Sequence, residues 1–243
     1  MRPIALTLLA CLLAAVPRAS RADRRYYGET YSAAIAPPGG LDLELWSTFH
    51  QAPSAGGTDF WRHQIELETG LVHGWDVALY NVLRSEAGQG TRYEAVKVES
   101  RYALADPGAW PLDLVLYLEV KKELIEDRPW AVEGKVIAAR DLGPLNLSLN
   151  LSAEREFLPG GGFEQELGGA AGASLELLPA LRLGAEAYGN RTRAGGAGWE
   201  SMAWAGPAVS VAALRGWLVL AAGFGLTAES DRVRARAILA WQF

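Results

Sequence analysis

Three histidines, His50, His63 and His73, and a lone cysteine, Cys11, are the side chains best equipped for acid–base, nucleophilic or metal chemistry in this chain. Their spacing supports little of it. The histidines fall at a loop edge, within an alternating stretch and in a turn, without ligand spacing, so no metal site is expected. His63 stands on the apolar side of its stretch, near one end, where a serine–histidine pair would do acyl-ester chemistry on lipid. No His-x-Ser run occurs, and the nearest serines in sequence, Ser47 and Ser54, lie outside any local motif. Gly-x-Ser-x-Gly, Walker and dinucleotide fingerprints are absent, and the glycines at 160–162 and 195–198 read as loop glycines. No catalytic residue and no cofactor is expected.

What remains is charge laid out in alternation with leucine. Leu112, Leu114, Leu116, Leu118 and Val120 share one parity, and Asp113, Tyr117, Glu119 and Lys121 the other. A period of two marks a strand with one apolar face. Twelve such stretches follow one another, at roughly 41–49, 61–69, 75–84, 93–104, 112–121, 130–139, 145–154, 163–177, 181–190, 201–213, 217–227 and 233–243. Residues 167–189 are rich in alanine and leucine, but five glycines and Pro179 argue against a helix there. Each stretch has the length a tilted strand needs to cross a bilayer. The connections alternate too: longer at 51–60, 85–92, 122–129, 155–162 and 191–200, and tight at 70–74, 140–144, 178–180 and 214–216. Short turns on one side and longer loops on the other are a habit of membrane barrels. The expected fold is therefore all-β: a transmembrane, antiparallel, up-and-down β-barrel of about twelve strands over 41–243.

A soluble sandwich would bury the leucines and expose the charges; a membrane barrel does the reverse. The expected lumen-lining residues are Arg62, Glu66, Glu68, Lys97, Glu99, Arg101, Glu119, Lys121, Glu133, Lys135, Arg182, Glu186, Arg234 and Arg236. Paired or solvated lumen charge is their default role. Trp46, mid-strand on the polar face, belongs inside as well. Other aromatics gather at strand ends: Trp61, Tyr93, Trp130, Phe163 and Trp204 at one rim, and Trp75, Tyr102, Trp110, Trp217, Trp241 and Phe243 at the other. Indole and phenol rings favour the headgroup region, so these read as membrane-interface aromatics.

The N-terminus agrees with export. Arg2, the apolar run Ile4 to Val16 and the small-x-small site Ser20-Arg-Ala22 form a Sec-type signal peptide, with cleavage expected after Ala22. Leu8-Leu-Ala-Cys11 offers a lipoprotein alternative. Past that segment no cysteine remains, which excludes disulfide staples and thiolate chemistry. Removing Arg2, Arg18 and Arg21 from 23 basic residues leaves 20 against 28 acidic, a net charge of −8, unsuited to nucleic acid. Residues 23–40, with Tyr26, Tyr27 and Tyr31 ahead of Pro37-Pro-Gly-Gly40, are expected to form a periplasmic segment or a lumen plug.

Trp61-Arg-His-Gln-Ile-Glu-Leu-Glu-Thr-Gly70 followed by Trp75-Asp-Val-Ala-Leu-Tyr80 resembles Gram-negative outer-membrane barrels labelled as meta-pathway phenol-degradation or transport proteins. The resemblance is best over 40–80; it implies a barrel and small-molecule traffic, and carries no catalytic residue. The final strand, ending on Trp241 and Phe243, has an assembly signal for the barrel-assembly machinery, although Ile238 stands where that signal prefers glycine. The expected location is the bacterial outer membrane, with its lipids as partners. The leading expectation is a passive channel or transporter for a small solute. The alternatives are a closed structural or interaction barrel, a lipid-modifying enzyme and a soluble periplasmic barrel.

Overall fold

A computed structural model describes residues 24–125, 130–195, 197–213 and 215–243. The signal segment 1–22, its cleavage after Ala22 and the lipoprotein alternative at Cys11 lie outside the described residues. The alternating stretches fold as twelve strands: β1 (Leu41–Pro53), β2 (Phe60–Val72), β3 (Trp75–Glu86), β4 (Gly90–Ala103), β5 (Asp113–Glu123), β6 (Ala131–Leu142), β7 (Leu145–Phe157), β8 (Phe163–Leu178), β9 (Leu181–Ala194), β10 (Glu200–Ala213), β11 (Gly216–Gly225) and β12 (Asp231–Gln242). Each pairs antiparallel with its sequence neighbours. β12 returns to β1, with Leu45 opposite Leu239 and Trp46 opposite Ile238, so the sheet closes. Closure removes the two edges whose unpaired amides and carbonyls could not be left in lipid.

Burial is inverted relative to a soluble fold. Glu66 is 1% exposed, while its neighbour Leu67 is 45% exposed. The same contrast holds for Glu99 and Val98, and for Glu119 and Leu118. The leucine rows face outward and the polar rows inward, as hydrocarbon outside and a polar interior require. Trp61, Trp75, Trp110, Trp130, Trp241 and Phe243 are exposed at the strand ends. Trp204 and Trp217 correct the expectation: they are 2% and 3% exposed and point into the barrel. Trp204 has the parity of inward Ser210 on β10, and Trp217 that of inward Val219 on β11. Both strands are rich in alanine, so polar side chains that would mark the lumen face are scarce there, and position near a rim misled.

Two connections also differ. The 85–92 loop shrinks to a turn, because β3 and β4 pair as far as Glu86 and Gly90. The link from Ala103 to Asp113, on the tight-turn side, is long. The wall from β8 to β11 carries glycines that let neighbours approach. A Cβ at Gly206 would run into the Ala222 carbonyl, and one at Gly172 would meet the Tyr27 ring at 2.6 Å.

Candidate functional site

Charged side chains of both signs converge in the lumen. Arg101 on β4 lies 2.6 Å from both Asp76 and Glu68 and 3.3 Å from Glu99. Arg62 grips Glu94 through two nitrogens at 2.7 and 2.8 Å. Further along the wall Lys97 meets Glu119 (3.3 Å), Lys121 meets Glu154 (3.4 Å) and Lys135 meets Glu133 (3.5 Å). Arg182 binds Glu176 at 2.8 Å and the Ser174 hydroxyl at 2.9 Å. Arg234 reaches Asp231 at 3.0 Å, and Arg236 donates to the Thr48 hydroxyl at 2.9 Å. Glu44 and Glu66, register partners on the adjacent strands β1 and β2, place two carboxylates near Arg25. Most of these residues have the parity of their strand's inward face; on β4 a bulge beside Glu94 brings it inward together with Lys97, Glu99 and Arg101. Charges of both signs are brought together as pairs, which is how a low-dielectric interior tolerates them.

Residues 24–36 run through this interior. Arg24 donates to the Ser210 hydroxyl (2.9 Å) and to the Pro179 and Ala180 carbonyls (both 3.1 Å) at the β8–β9 turn. Arg25 is buried, with its guanidinium 3.9 Å from the Tyr31 ring centre and 4.4 Å from that of Trp46. Burial disfavours its charge, but Tyr31 and the carboxylates of Glu44 and Glu66 outweigh that and hold its pKa above the ordinary value. The Tyr27 hydroxyl donates to Asn146 Oδ1 at 2.8 Å, with its ring against Gly172.

At mid-barrel one carboxylate holds the turn of this segment. Glu186 accepts the amides of Gly28, Glu29 and Thr30, all at 2.9 Å, and the Thr30 hydroxyl at 3.0 Å. Glu29 in turn meets Arg236 at 2.8 Å and Arg234 at 3.8 Å. Asn150 clamps Tyr31 from both sides, accepting its amide (2.6 Å) and donating to its carbonyl (3.0 Å). The chain then returns: the Ala36 amide binds Asp76 (2.9 Å), and the Gly39 amide binds the Gly70 carbonyl (2.9 Å) beside the β2–β3 turn. Entry at Pro179 and exit at Gly70 lie at the same end of the barrel, where β1 begins. Beside the segment is a cavity of about 150 Å³, lined by Glu29, Glu133, Lys135, Glu166, Tyr188, Trp204 and Arg234 among others.

Asn146 and Asn150 were not singled out as functional from sequence, although their parity with Ser148 and Ser152 marks a polar row on β7. The Ser47–His63 pair was also missed. Ser47 Oγ lies 2.8 Å from His63 Nδ1, because the two are register partners on β1 and β2. Sequence distance hides such a neighbour; strand register reveals it. Ser47 is paired on both sides in the sheet, opposite His63 and Ala237. Its backbone is therefore committed to the ladder rather than to stabilising an oxyanion. Among the described residues no group of three His, Cys, Asp or Glu side chains is arranged to hold a metal ion.

Solved structures similar to this chain are bacterial barrels. An outer membrane channel from Pseudomonas putida F1 aligns with a TM-score of 0.59 at 11% identity, over 86% of this chain and 97% of that one. The NanC porin gives 0.57 at 9% identity over 84% and 98%. The KdgM porin gives 0.54 at 8% identity over 83% and 99%. At such identities the likeness is one of fold. No protein-family model matches the chain and no curated protein is similar to it in sequence, so no family match stands behind the phenol-pathway resemblance of residues 40–80.

Proposed function

We propose that this protein is a passive channel for small solutes in the bacterial outer membrane, with residues 24–36 acting as a plug seated in its lumen. The observation that carries the reading is the inward wall of ion pairs enclosed by an outward leucine surface. A polar tube through an apolar layer is what passive diffusion of a polar solute needs. The two porins and the channel of the same fold support it. The plug is anchored mainly by polar contacts to Glu186, Asn146, Asn150 and Asp76, groups that water can satisfy when the segment leaves. Export through the Sec-type signal, cleavage after Ala22 and recognition of β12 by the barrel-assembly machinery belong to the same reading. The resemblance of residues 40–80 makes phenol-pathway metabolites the first solutes to screen.

Proteoliposome swelling tests this. Vesicles carrying the mature chain lacking residues 24–36 should swell rapidly in small sugars and amino acids, and vesicles carrying the full mature chain slowly. Swelling in neither, with a folded barrel in both, would favour the closed structural barrel.

A further inference from the structure

Charge at the long-loop rim is sorted radially. At the outer ends of β7, β8 and β9, Glu154, Glu156, Glu164 and Glu166 share the inward parity, while Arg155, Arg191 and Arg193 share the outward one. The register proves the sides: Arg191 stands opposite outward Leu167, and Arg155 opposite outward Val132. It also builds a row, since Arg155 pairs with Gln165 and Gln165 with Arg193. The two arginines are thus two strands apart, about 10 Å, with an amide between them. Arg193 donates to Gln165 Oε1 at 3.2 Å. Each arginine lies by an aromatic ring: Arg155 is 4.3 Å from the Phe163 ring centre, and Arg191 and Arg193 are 5.5 and 4.9 Å from that of Trp199.

The rim at β1 to β4 differs. The outward positions at the corresponding ends of β1 to β4 are Phe49, Gln51, Trp61, His63, Asn81, Leu83, Ser85, Thr91 and Tyr93, none of them arginine or lysine. The arginine row is therefore not repeated on β1 to β4, and the nearest outward cation on the strands before it is Lys122 at the end of β5, by Trp130. Leu167 lies beside Arg191 and Leu151 below Arg155, both exposed on the hydrocarbon face. Arginines at the edge of an apolar belt meet headgroups, and a guanidinium offers a phosphate two parallel donors.

We propose that Arg155, Arg191 and Arg193, with Gln165 between them, form a binding site for the phosphate headgroup of an outer-leaflet lipid. The lipid's chains would lie over Leu151 and Leu167, and its phosphate would span the arginine row. The site rests on the outer-membrane reading, which places the long-loop end at the outer leaflet.

The test uses the full mature chain refolded into phosphatidylcholine vesicles doped with phosphatidic acid brominated on its acyl chains. Tryptophan quenching is compared with that by brominated phosphatidylcholine. Preferential quenching by the phosphatidic acid is expected, and R155Q/R191Q/R193Q should reduce the relative association constant by about tenfold or more, since a basic group near a headgroup layer contributes about 1 kcal/mol. R155K/R191K/R193K, which keeps the charge but loses the paired donors, should fall between the wild type and the glutamine variant. Equal quenching by the two lipids, or a preference untouched in the glutamine variant, would overturn the site. A chain that fails to insert would instead overturn the membrane reading and the site with it. Heat-modifiable migration of each variant shows that its barrel has formed. Loss of the preference on adding inorganic phosphate alone would assign the row to free phosphate and also overturn the lipid site.

Discussion

Thr30 gives both its amide and its hydroxyl to a single oxygen of Glu186, at 2.9 and 3.0 Å. The other oxygen takes the Gly28 amide, so one carboxylate on β9 fixes the innermost turn of the N-terminal segment. An ionised carboxylate accepts at both oxygens; an amide side chain accepts at one only. Glu186→Gln therefore sets an NH₂ group against backbone amides. Losing a hydrogen bond to a charged group costs about 1.5–3 kcal/mol, so the released fraction of the segment should rise about ten- to a hundredfold. Protease cleavage within residues 24–36 of the folded barrel measures it.

Gly172 should be as critical as the charges. Its missing side chain leaves the space filled by the Tyr27 ring, and an added Cβ would lie 2.6 Å from that ring. Gly172→Leu is expected to expel Tyr27 while leaving β8 paired. Tyr27→Ala should release the segment without altering the barrel. In both variants cleavage accelerates and heat-modifiable migration persists.

Acid should remove Glu29's hold on the segment. Burial alone would raise the pKa of Glu29, but Arg236 and Arg234 outweigh it and hold the carboxyl below its ordinary 4.5. A depressed folded pKa means the stabilisation is complete above that ordinary value and is lost as pH falls through the lower, folded one. The contribution of Glu29 to seating should thus be complete at neutral pH and be lost as pH falls below 4.5. Glu29→Gln should remove this contribution to the dependence, as read by cleavage rate against pH.

Ser47 and His63 satisfy each other on an otherwise apolar face. Removing one partner should cost about 1–3 kcal/mol, whereas replacing both with apolar residues should cost less. Urea unfolding in bilayers is expected to rank S47A below S47A/H63L. Turnover of phospholipid should stay at background in the wild type and in both variants.

Much of the fold was legible because lipid outside and charge inside impose a strict period of two. The leucine row of β5 and the glutamates of β2 announce their faces without help from the rest of the chain. Legibility failed where that contrast fades. On β10 and β11 alanines occupy both faces, so Trp204 and Trp217 looked like rim aromatics when they pack inside. Trp204→Ala should accordingly cost about 3–5 kcal/mol, as for a core aromatic, and exposed Trp130→Ala markedly less. Pairings were illegible for a different reason. Which charge meets which, and that Ser47 meets His63, depend on strand register, which alternation leaves open by any even number of residues. The path of residues 24–36 depends on partners scattered from Asp76 to Ser210, and no local pattern encodes that.

Single-channel conductance in a planar bilayer, for the full mature chain and for the same chain lacking residues 24–36, bears most directly on an occupied diffusion channel. The deleted chain should give discrete, long-lived open steps, sensitive to neutralising Lys97 or Lys121, while the full chain should be closed or flicker briefly. Silence from both, with both barrels folded and inserted, would contradict a channel. Equal open conductance from both would contradict a lumen closed by its N-terminal segment.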